Sequence, residues 1–441
     1  MTTDSTGPWT PTPTTPANDQ KPSNQSELAL SWLAPFGMVG LSFVNFFFRI
    51  ITLGIYDFWA RTEVRKRLWS AIRLNGEPLV YTGTGKELFL GFLIVFGIVL
   101  LPLMLLTVAI VFFVGPDPIL IQTLQFAIYI AIFFLIGIGI YRAQRYRLSR
   151  TTWRGIRGSL TGSSLRYAVV YFATLLLIPF TLGWIIPWRT TKLQSMITNN
   201  AHLGTQPFSF SGSSGPLYGP FALLWFGVIA ITMVAFMLIG GLVQMIQGSM
   251  GPEALEPGFK LPPDVAAYVG VLTLGIFAFG YLLYLFISAW YRARTINHFA
   301  RCTLLDTAQF KGRVTGAGLL WIDITNLLIL MLGVIAILVP ITAVIAIIAS
   351  LGGGLPDTAA QIPTTPGAAT GLASVLAPLM LVVFALSFTL LAPVTQARAM
   401  GYLINNLSIE GTLDLDKIAQ GSADQLKTGE GLSQAFDIDA F

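Results

Sequence analysis

Leu88-Phe89-Leu90-Gly91-Phe92-Leu93-Ile94-Val95-Phe96-Gly97-Ile98-Val99-Leu100-Leu101-Pro102-Leu103-Met104-Leu105-Leu106-Thr107-Val108-Ala109-Ile110-Val111-Phe112-Phe113 contains no charged residue. A helix of about 20 apolar residues crosses the ~30 Å hydrocarbon core of a bilayer. Counting this stretch as 87–113, runs of the same kind recur at 119–140, 217–247, 265–289, 317–349 and 372–394, so six membrane spans are expected. The 441-residue chain is 54% hydrophobic and 11% charged, with a mean hydropathy of +0.70, more apolar surface than a water-soluble core can hide. The solvent for most of it is lipid, and the expected fold class is an all-α polytopic membrane protein.

Two further apolar stretches, 36–58 and 165–187, have unusual contents: Asn45, Arg49 and Gly54 in the first, Pro179 and Gly183 in the second. Lys and Arg near span ends mark the cytoplasmic side. Most of the 26 basic residues follow 36–58, 119–140, 165–187 and 265–289, whereas the connections near 114–118, 248–264 and 350–371 hold only Lys260. Eight crossings would split this charge almost evenly. Six crossings plus two re-entrant or interfacial helical elements put nearly all of it on one side, with both termini cytoplasmic. Re-entrant backbone needs protein around it, so the six spans are expected to enclose those two elements.

An internal repeat ties the two together. An offset of 129 residues superimposes Thr52-Leu53-Gly54 on Thr181-Leu182-Gly183 and Trp59 on Trp188, with ten identities in the 41 positions from 52 to 92. Each basic segment then ends in a Ser/Thr-Gly turn: Thr82-Gly83-Thr84-Gly85, Thr161-Gly162-Ser163-Ser164, Ser211-Gly212-Ser213-Ser214 and Thr315-Gly316-Ala317-Gly318. A hydroxyl there can cap the first free N–H groups of the next helix. The expected organisation is a disordered Thr/Pro-rich tail (1–35), a first membrane repeat (36–164), a second (165–316), a partial third (317–411) and an acidic C-terminal tail (412–441).

The stretch Thr52-Leu53-Gly54-Ile55-Tyr56-Asp57-Phe58-Trp59-Ala60-Arg61, followed by Arg65-Lys66-Arg67 and Tyr81-Thr82-Gly83-Thr84-Gly85, resembles the YjgN-like family of bacterial inner-membrane proteins, a domain of unknown function. Thr52, Leu53, Gly54, Ile55, Tyr56, Trp59, Arg61, Arg65 and Gly83 carry the resemblance, which extends over about 36–415. It departs in the second copy, where Pro187 precedes Trp188 and the basic cluster shrinks to Arg189 and Lys192. The resemblance implies a multi-pass protein of the bacterial inner (cytoplasmic) membrane and supplies no catalytic residues.

The chemistry of the residues is sparse. Gly83-Thr84-Gly85-Lys86-Glu87 fails as a phosphate-binding loop, because Val80 stands where Gly is needed and Glu87 where Ser or Thr is needed. Gly212-Ser213-Ser214-Gly215 matches the short motif around some intramembrane serine nucleophiles, but four small residues also make a turn. With two histidines, one cysteine (Cys302) and no paired carboxylates in the spans, neither an enzyme nor a cofactor or metal is expected. Nucleic acid is not an expected partner, since no soluble basic domain exists to hold it. The polar residues at membrane depth, Asp323, Asn326, Arg49 and Asn45, are candidates for a solute path. The arginines at 142, 145, 147, 150, 154 and 157 (Arg142 to Arg157), with aromatic residues and no acid among them, suit anionic lipid headgroups. Two functions compete: a transporter or channel for a small solute, and a structural or lipid-interacting component that does not transport. Fusions of a reporter active only in the periplasm, made at Ala17 and Ser433, should be silent.

Overall fold

The structure is a computed structural model that describes residues 25–113, 115, 118–251, 261–351, 384, 386–414 and 418–420. Short antiparallel hairpins alternate with helices along the chain. Helix α1 (Met38–Ile51) and α2 (Asp57–Ala71) lie between strands β2 (Leu30–Trp32) and β3 (Ile72–Leu74), and β4 (Glu77–Pro78) and β5 (Val80–Tyr81) follow. A rod then runs through α3 (Gly85–Val95), a π-helical turn (Phe96–Leu100) and α4 (Leu101–Phe113). The π turn sits just before Pro102, whose ring cannot share space with the carbonyl four residues earlier in an α-helix. Next come α5 (Pro118–Ser149), β6 (Thr151–Trp153), β7 (Ile156–Leu160), α6 (Ser164–Phe180), α7 (Ile186–Thr198), β8 (Ala201–Leu203) and β9 (Gln206–Phe210). The chain continues with α8 (Gly215–Met250), α9 (Pro263–Arg301), β10 (Thr303–Leu305), β11 (Ala308–Gly312), α10 (Gly316–Leu351), α11 (Ala392–Asn405) and β12 (Leu407–Glu410). Strands β1 (Gln25–Glu27) and β13 (Thr412–Asp414) pair with each other.

Among the described residues five helices are long and apolar enough to cross a membrane: Gly85–Phe113, Ile119–Ser149, Gly215–Met250, Pro263–Arg301 and Gly316–Val344. The expected sixth span, 372–394, lies outside the described residues up to 383 and again at 385. The long helices run past their apolar stretches, α5 to Ser149 and α9 to Arg301, and end in basic residues.

The strands are what an all-α reading omits. Four hairpins turn on two-residue loops, closed by the pairs Leu74 with Glu77, Trp153 with Ile156, Leu203 with Gln206 and Leu305 with Ala308. In the first two loops both residues adopt positive φ, Asn75 and Gly76 at 52° and 80°, Arg154 and Gly155 at 51° and 78°, the geometry that matches strand twist. The hairpins join edge to edge in the order β12-β11-β10-β9-β8-β7-β6-β5, and β2-β3-β4 form a separate three-stranded sheet. The row curls into a collar. Helix α2 packs against β5, α5 against β7, α7 against β9 and α9 against β11, while α11 packs against β2, which also lies beside β12. The N-terminal strand thus completes the unit that the last helix begins.

Leu74, Leu79, Trp153, Ile156, Leu203, Phe208, Leu305, Ala308, Phe310 and Ile409 pack into one core, joined by Leu28 and Ile418 from the two chain ends. Trp153 is 1% exposed. The termini tie down the turns: Asn75 N–H donates to the Ala29 carbonyl (2.8 Å), Thr205 N–H to the Ala419 carbonyl (3.0 Å), and Thr307 Oγ1 to the Thr412 carbonyl (2.6 Å). Residues 25–32, 412–414 and 418–420, expected in tails, therefore belong to the collar, because without them its core would lack Leu28 and Ile418. The expected divisions at 164/165 and 316/317 fall at Ser/Thr-Gly turns, and the strands run across both.

Antiparallel pairing places every hairpin turn at one end of the collar and every helix at the other. Helices α1 and α2 leave β2 and return to its neighbour β3, and α6 and α7 leave β7 and return to its neighbour β8. Both pairs therefore go out and come back on one side. At 14 and 17 residues, α1 and α6 reach about 21 and 25 Å, short of the hydrocarbon thickness. They are not enclosed, contrary to expectation: Phe43, Val44, Phe47 and Ile51 of α1, and Val169, Leu176 and Phe180 of α6, are exposed. Enclosure is unnecessary because the bend satisfies its own backbone. Gly54 N–H donates to the Arg49 carbonyl (2.8 Å) and Leu53 N–H to the Ile50 carbonyl (3.1 Å), with Leu53 at φ 50° and Gly54 at 90°, a Schellman cap. Gly183 N–H to Ile178 (2.8 Å) and Leu182 N–H to Pro179 (3.2 Å) repeat it 129 residues later.

Single cysteines at Asn75, Arg154, Thr205 and Thr307 in a Cys302→Ser background should all react from the same side of the membrane. One turn labelled from the opposite side would break the collar.

Candidate functional site

The Ser/Thr-Gly turns lie where helices leave the collar, and three of the four cap as the sequence implies, Ser214 before α8 making no side-chain cap. Thr84 Oγ1 accepts from Glu87 N–H (3.4 Å), Ser163 Oγ from Arg166 N–H (3.4 Å) and Thr315 Oγ1 from Gly318 N–H (3.1 Å). Aromatic residues crowd these turns. A Cβ on Gly85 would sit 2.7 Å from the Trp59 ring, and one on Gly83 would sit 2.6 Å from the Tyr81 hydroxyl. The family-like motif is therefore a packing module. Thr52 Oγ1 donates to the Phe48 carbonyl (2.7 Å) and accepts from Tyr56 N–H (2.9 Å), Tyr56 stacks between Phe48 and Trp59, and Arg65 reaches the Tyr81 hydroxyl (3.4 Å). Leu53 and Ile55 point outward from the bend.

The four polar residues expected at membrane depth fall into two separate groups. Arg49 pairs with Asp57, which also takes Arg61 Nε at 2.6 Å, and the Asn45 amide approaches the Ala60 carbonyl (3.5 Å). Asp323 pairs with Arg292 of α9 (2.7 Å), while Asn326 Nδ2 donates to the Thr395 carbonyl (3.3 Å). Each acid that could have marked a path is already matched to an arginine beside it.

The arginines from 142 to 157 separate by depth. Arg142 is exposed near the start of α6; Arg145 donates to the Gly162 carbonyl and lies over Tyr141 (5.4 Å). Arg150 is buried, paired with Glu87 at 3.0 Å, while Tyr146 donates to the other Glu87 oxygen (2.6 Å). Arg154 occupies a hairpin turn and pairs with Glu77 of the neighbouring turn (2.9 Å). Arg157 lies in β7, its N–H bonded to Gln420 Oε1 (3.0 Å). Arg150 and Arg154 are thus matched to acids that come from the segment before their own. Arg147, in the last turn of α5, is half-buried. Lys86, Arg166 and Arg294 belong with Arg142 instead. All are exposed, the first two at the starts of α3 and α6, the third over the Trp290 ring (5.4 Å). Their signal in the sequence was position relative to the Ser/Thr-Gly turns, not clustering.

His298 Nε2 lies 2.8 Å from the carbonyl oxygen of Ser213, not from its hydroxyl, and Cys302 Sγ is 3.9 Å from His298 Nδ1. Burial raises the Cys302 thiol, which lowers its thiolate fraction. Among the described residues no three His, Cys, Asp or Glu side chains group as metal ligands.

Five apolar rods rooted in a collar define the class: a polytopic helical membrane protein. The profile of a family described as "Bacterial protein of unknown function (DUF898)" matches residues 37–435, and the chain belongs to that family. It is also 41% identical over 63 residues to a protein of Salmonella typhimurium named "Inner membrane protein YjgN", a match covering 14% of this chain and 16% of that relative. No solved structure matches the chain significantly.

Arg150→Ala should destabilise the protein by about 1 kcal/mol in thermal unfolding, since half-buried Glu87 would lose its cation and keep only the Tyr146 hydroxyl. Arg142→Ala should change stability by less than about 0.5 kcal/mol.

Proposed function

We propose that this chain is a component of the bacterial inner membrane that works on or with anionic lipid at the cytoplasmic surface and does not conduct solute. The observation that carries this reading is the single apolar core inside the collar. Every hairpin contributes to it, so the axis below the helices is filled by Trp153, Leu305, Ala308 and their neighbours. Water and ions do not pass a packed hydrocarbon interior. The charges of the helix roots are consumed locally, Arg292 with Asp323 and Arg49 and Arg61 with Asp57, which leaves little polar lining for a path.

Lys86, Arg142, Arg166 and Arg294 form an exposed cationic level at the helix roots, with Trp59 and Trp290 beside it. Each such cation near an anionic leaflet contributes about 1 kcal/mol. On this reading the collar, its hairpin turns and both chain ends are cytoplasmic, in keeping with the basic residues and with the name of the Salmonella relative.

Protein reconstituted into vesicles containing phosphatidylglycerol should raise neither ion nor small-solute permeability above that of protein-free vesicles. It should also carry anionic lipid through detergent purification. A flux present in wild type and abolished by Asp323→Asn would overturn the reading.

A further inference from the structure

From Pro118 to Pro252 the chain contains no Asp or Glu. Helices α6 and α7, with Arg166, Arg189 and Lys192, lie wholly within that stretch, as do α5, α8 and β9, the elements packed closely on them. Arg150 and Arg154 reach acids of an earlier segment, but among the described residues no acid pairs with Arg166, Arg189 or Lys192. Arg166 and Lys192 are exposed, where water solvates them. Arg189 is half-buried, its guanidinium 4.5 Å from the centre of the Tyr171 ring. Its Nε is shut off from water without an acceptor, and its two Nη groups are open at the surface and donate to no described residue. A guanidinium presents five N–H donors in a planar fork, and donors left unpaired away from water are costly.

Arg145 shows the contrast. It stands at the other end of the same row of rings, Tyr141, Tyr167 and Tyr171, whose centres are 5.2 and 6.4 Å apart. Like Arg189 it lies over a tyrosine, Tyr141, but it also donates to the Gly162 carbonyl. Nor does the bend need the cation of Arg189. At 42, 60 and 63, which are 129 residues before Tyr171, Arg189 and Lys192, stand Ser42, Ala60 and Glu63. The first bend nonetheless forms the same cap: 2.8 Å for both long bonds, and φ of 50° at Leu53 against 49° at Leu182.

The surroundings say what kind of anion fits. Beyond Arg189 the tip of the α6–α7 excursion is apolar and exposed, with Leu176, Phe180 and Leu182 on its surface, and Trp188 beside the cation is 43% exposed. A small hydrophilic anion would leave that tip in water, whereas an anion that carries hydrocarbon covers both. With no acid on the surrounding elements, nothing there receives the cation of a choline or ethanolamine headgroup. We propose that Arg189 binds the phosphate of an anionic phospholipid whose acyl chains cover the tip of α6 and α7. The stack on Tyr171 holds the guanidinium in place while its free Nη groups donate to the phosphate oxygens. Lys192, one helical turn on, adds a second positive charge on the same face. This rests on the lipid reading above and assigns it a specific site.

The test uses the full-length protein purified in detergent, with native mass spectrometry reading bound phosphatidylglycerol against phosphatidylcholine. Arg189→Ala supplies the residue found at this place in the first bend, so it should fold, and its affinity for phosphatidylglycerol should fall about tenfold. Lys192→Gln, at an exposed position, should lower that affinity about fivefold. Weak retention of phosphatidylcholine, which the apolar tip alone can hold, should be the same in wild type and both variants. Millimolar inorganic phosphate should not displace the lipid. Wild type that retains no anionic lipid would sink the lipid reading itself. Either variant retaining as much phosphatidylglycerol as wild type would leave that reading standing and overturn this site. Equal losses of both lipids in Arg189→Ala, or displacement by inorganic phosphate, would overturn it too.

Discussion

Edge-to-edge hydrogen bonding between successive hairpins is the constraint on which the rest of the molecule depends. The pairs Gly158 with Leu203 and Phe210 with Thr303 join strands that are separated in sequence by whole helices. Once those ladders form, each helix must start and finish at one end of the collar. The chain can then leave only by crossing the membrane in pairs or by turning back. Free sheet edges invite unwanted pairing, and here the edge strand β2 lies beside the edge strand β12.

The short excursions, α1–α2 and α6–α7, show how one backbone device is used twice with different chemistry. A Schellman cap with Leu and Gly in the left-handed region reverses the chain without leaving amides unpaired. Because the cap is self-sufficient, the side chains around it are free to vary, and the first copy carries Arg49, Asp57 and Arg61 where the second carries Ile178, Ile186 and Thr190.

Charge is layered by depth. At the hairpin turns Arg154 meets Glu77; inside the helix layer Arg150 meets Glu87; at the helix roots Lys86, Arg142 and Arg166 are exposed. The inner pairs hold elements to one another. The outermost level is exposed, so basic composition alone does not separate residues that pair internally from those that face outward.

The sequence by itself determined the solvent, five of the apolar spans and three of the capping turns, because each is a local matter of hydropathy or of a hydroxyl beside a glycine. It also indicated that 36–58 and 165–187 behave alike, through Leu53-Gly54 and Leu182-Gly183 at matched positions. The strands were not legible: Thr151-Thr152-Trp153 and Ala201-His202-Leu203 are too short to show alternation, and each has one of its two partner strands tens of residues away. Nor could a one-dimensional reading distinguish Arg142 from Arg150, or foresee that Leu28 and Ile418 enter the same core. Those assignments required the tertiary structure, since whether a side chain meets water, lipid or a carboxylate depends on which distant segment folds beside it.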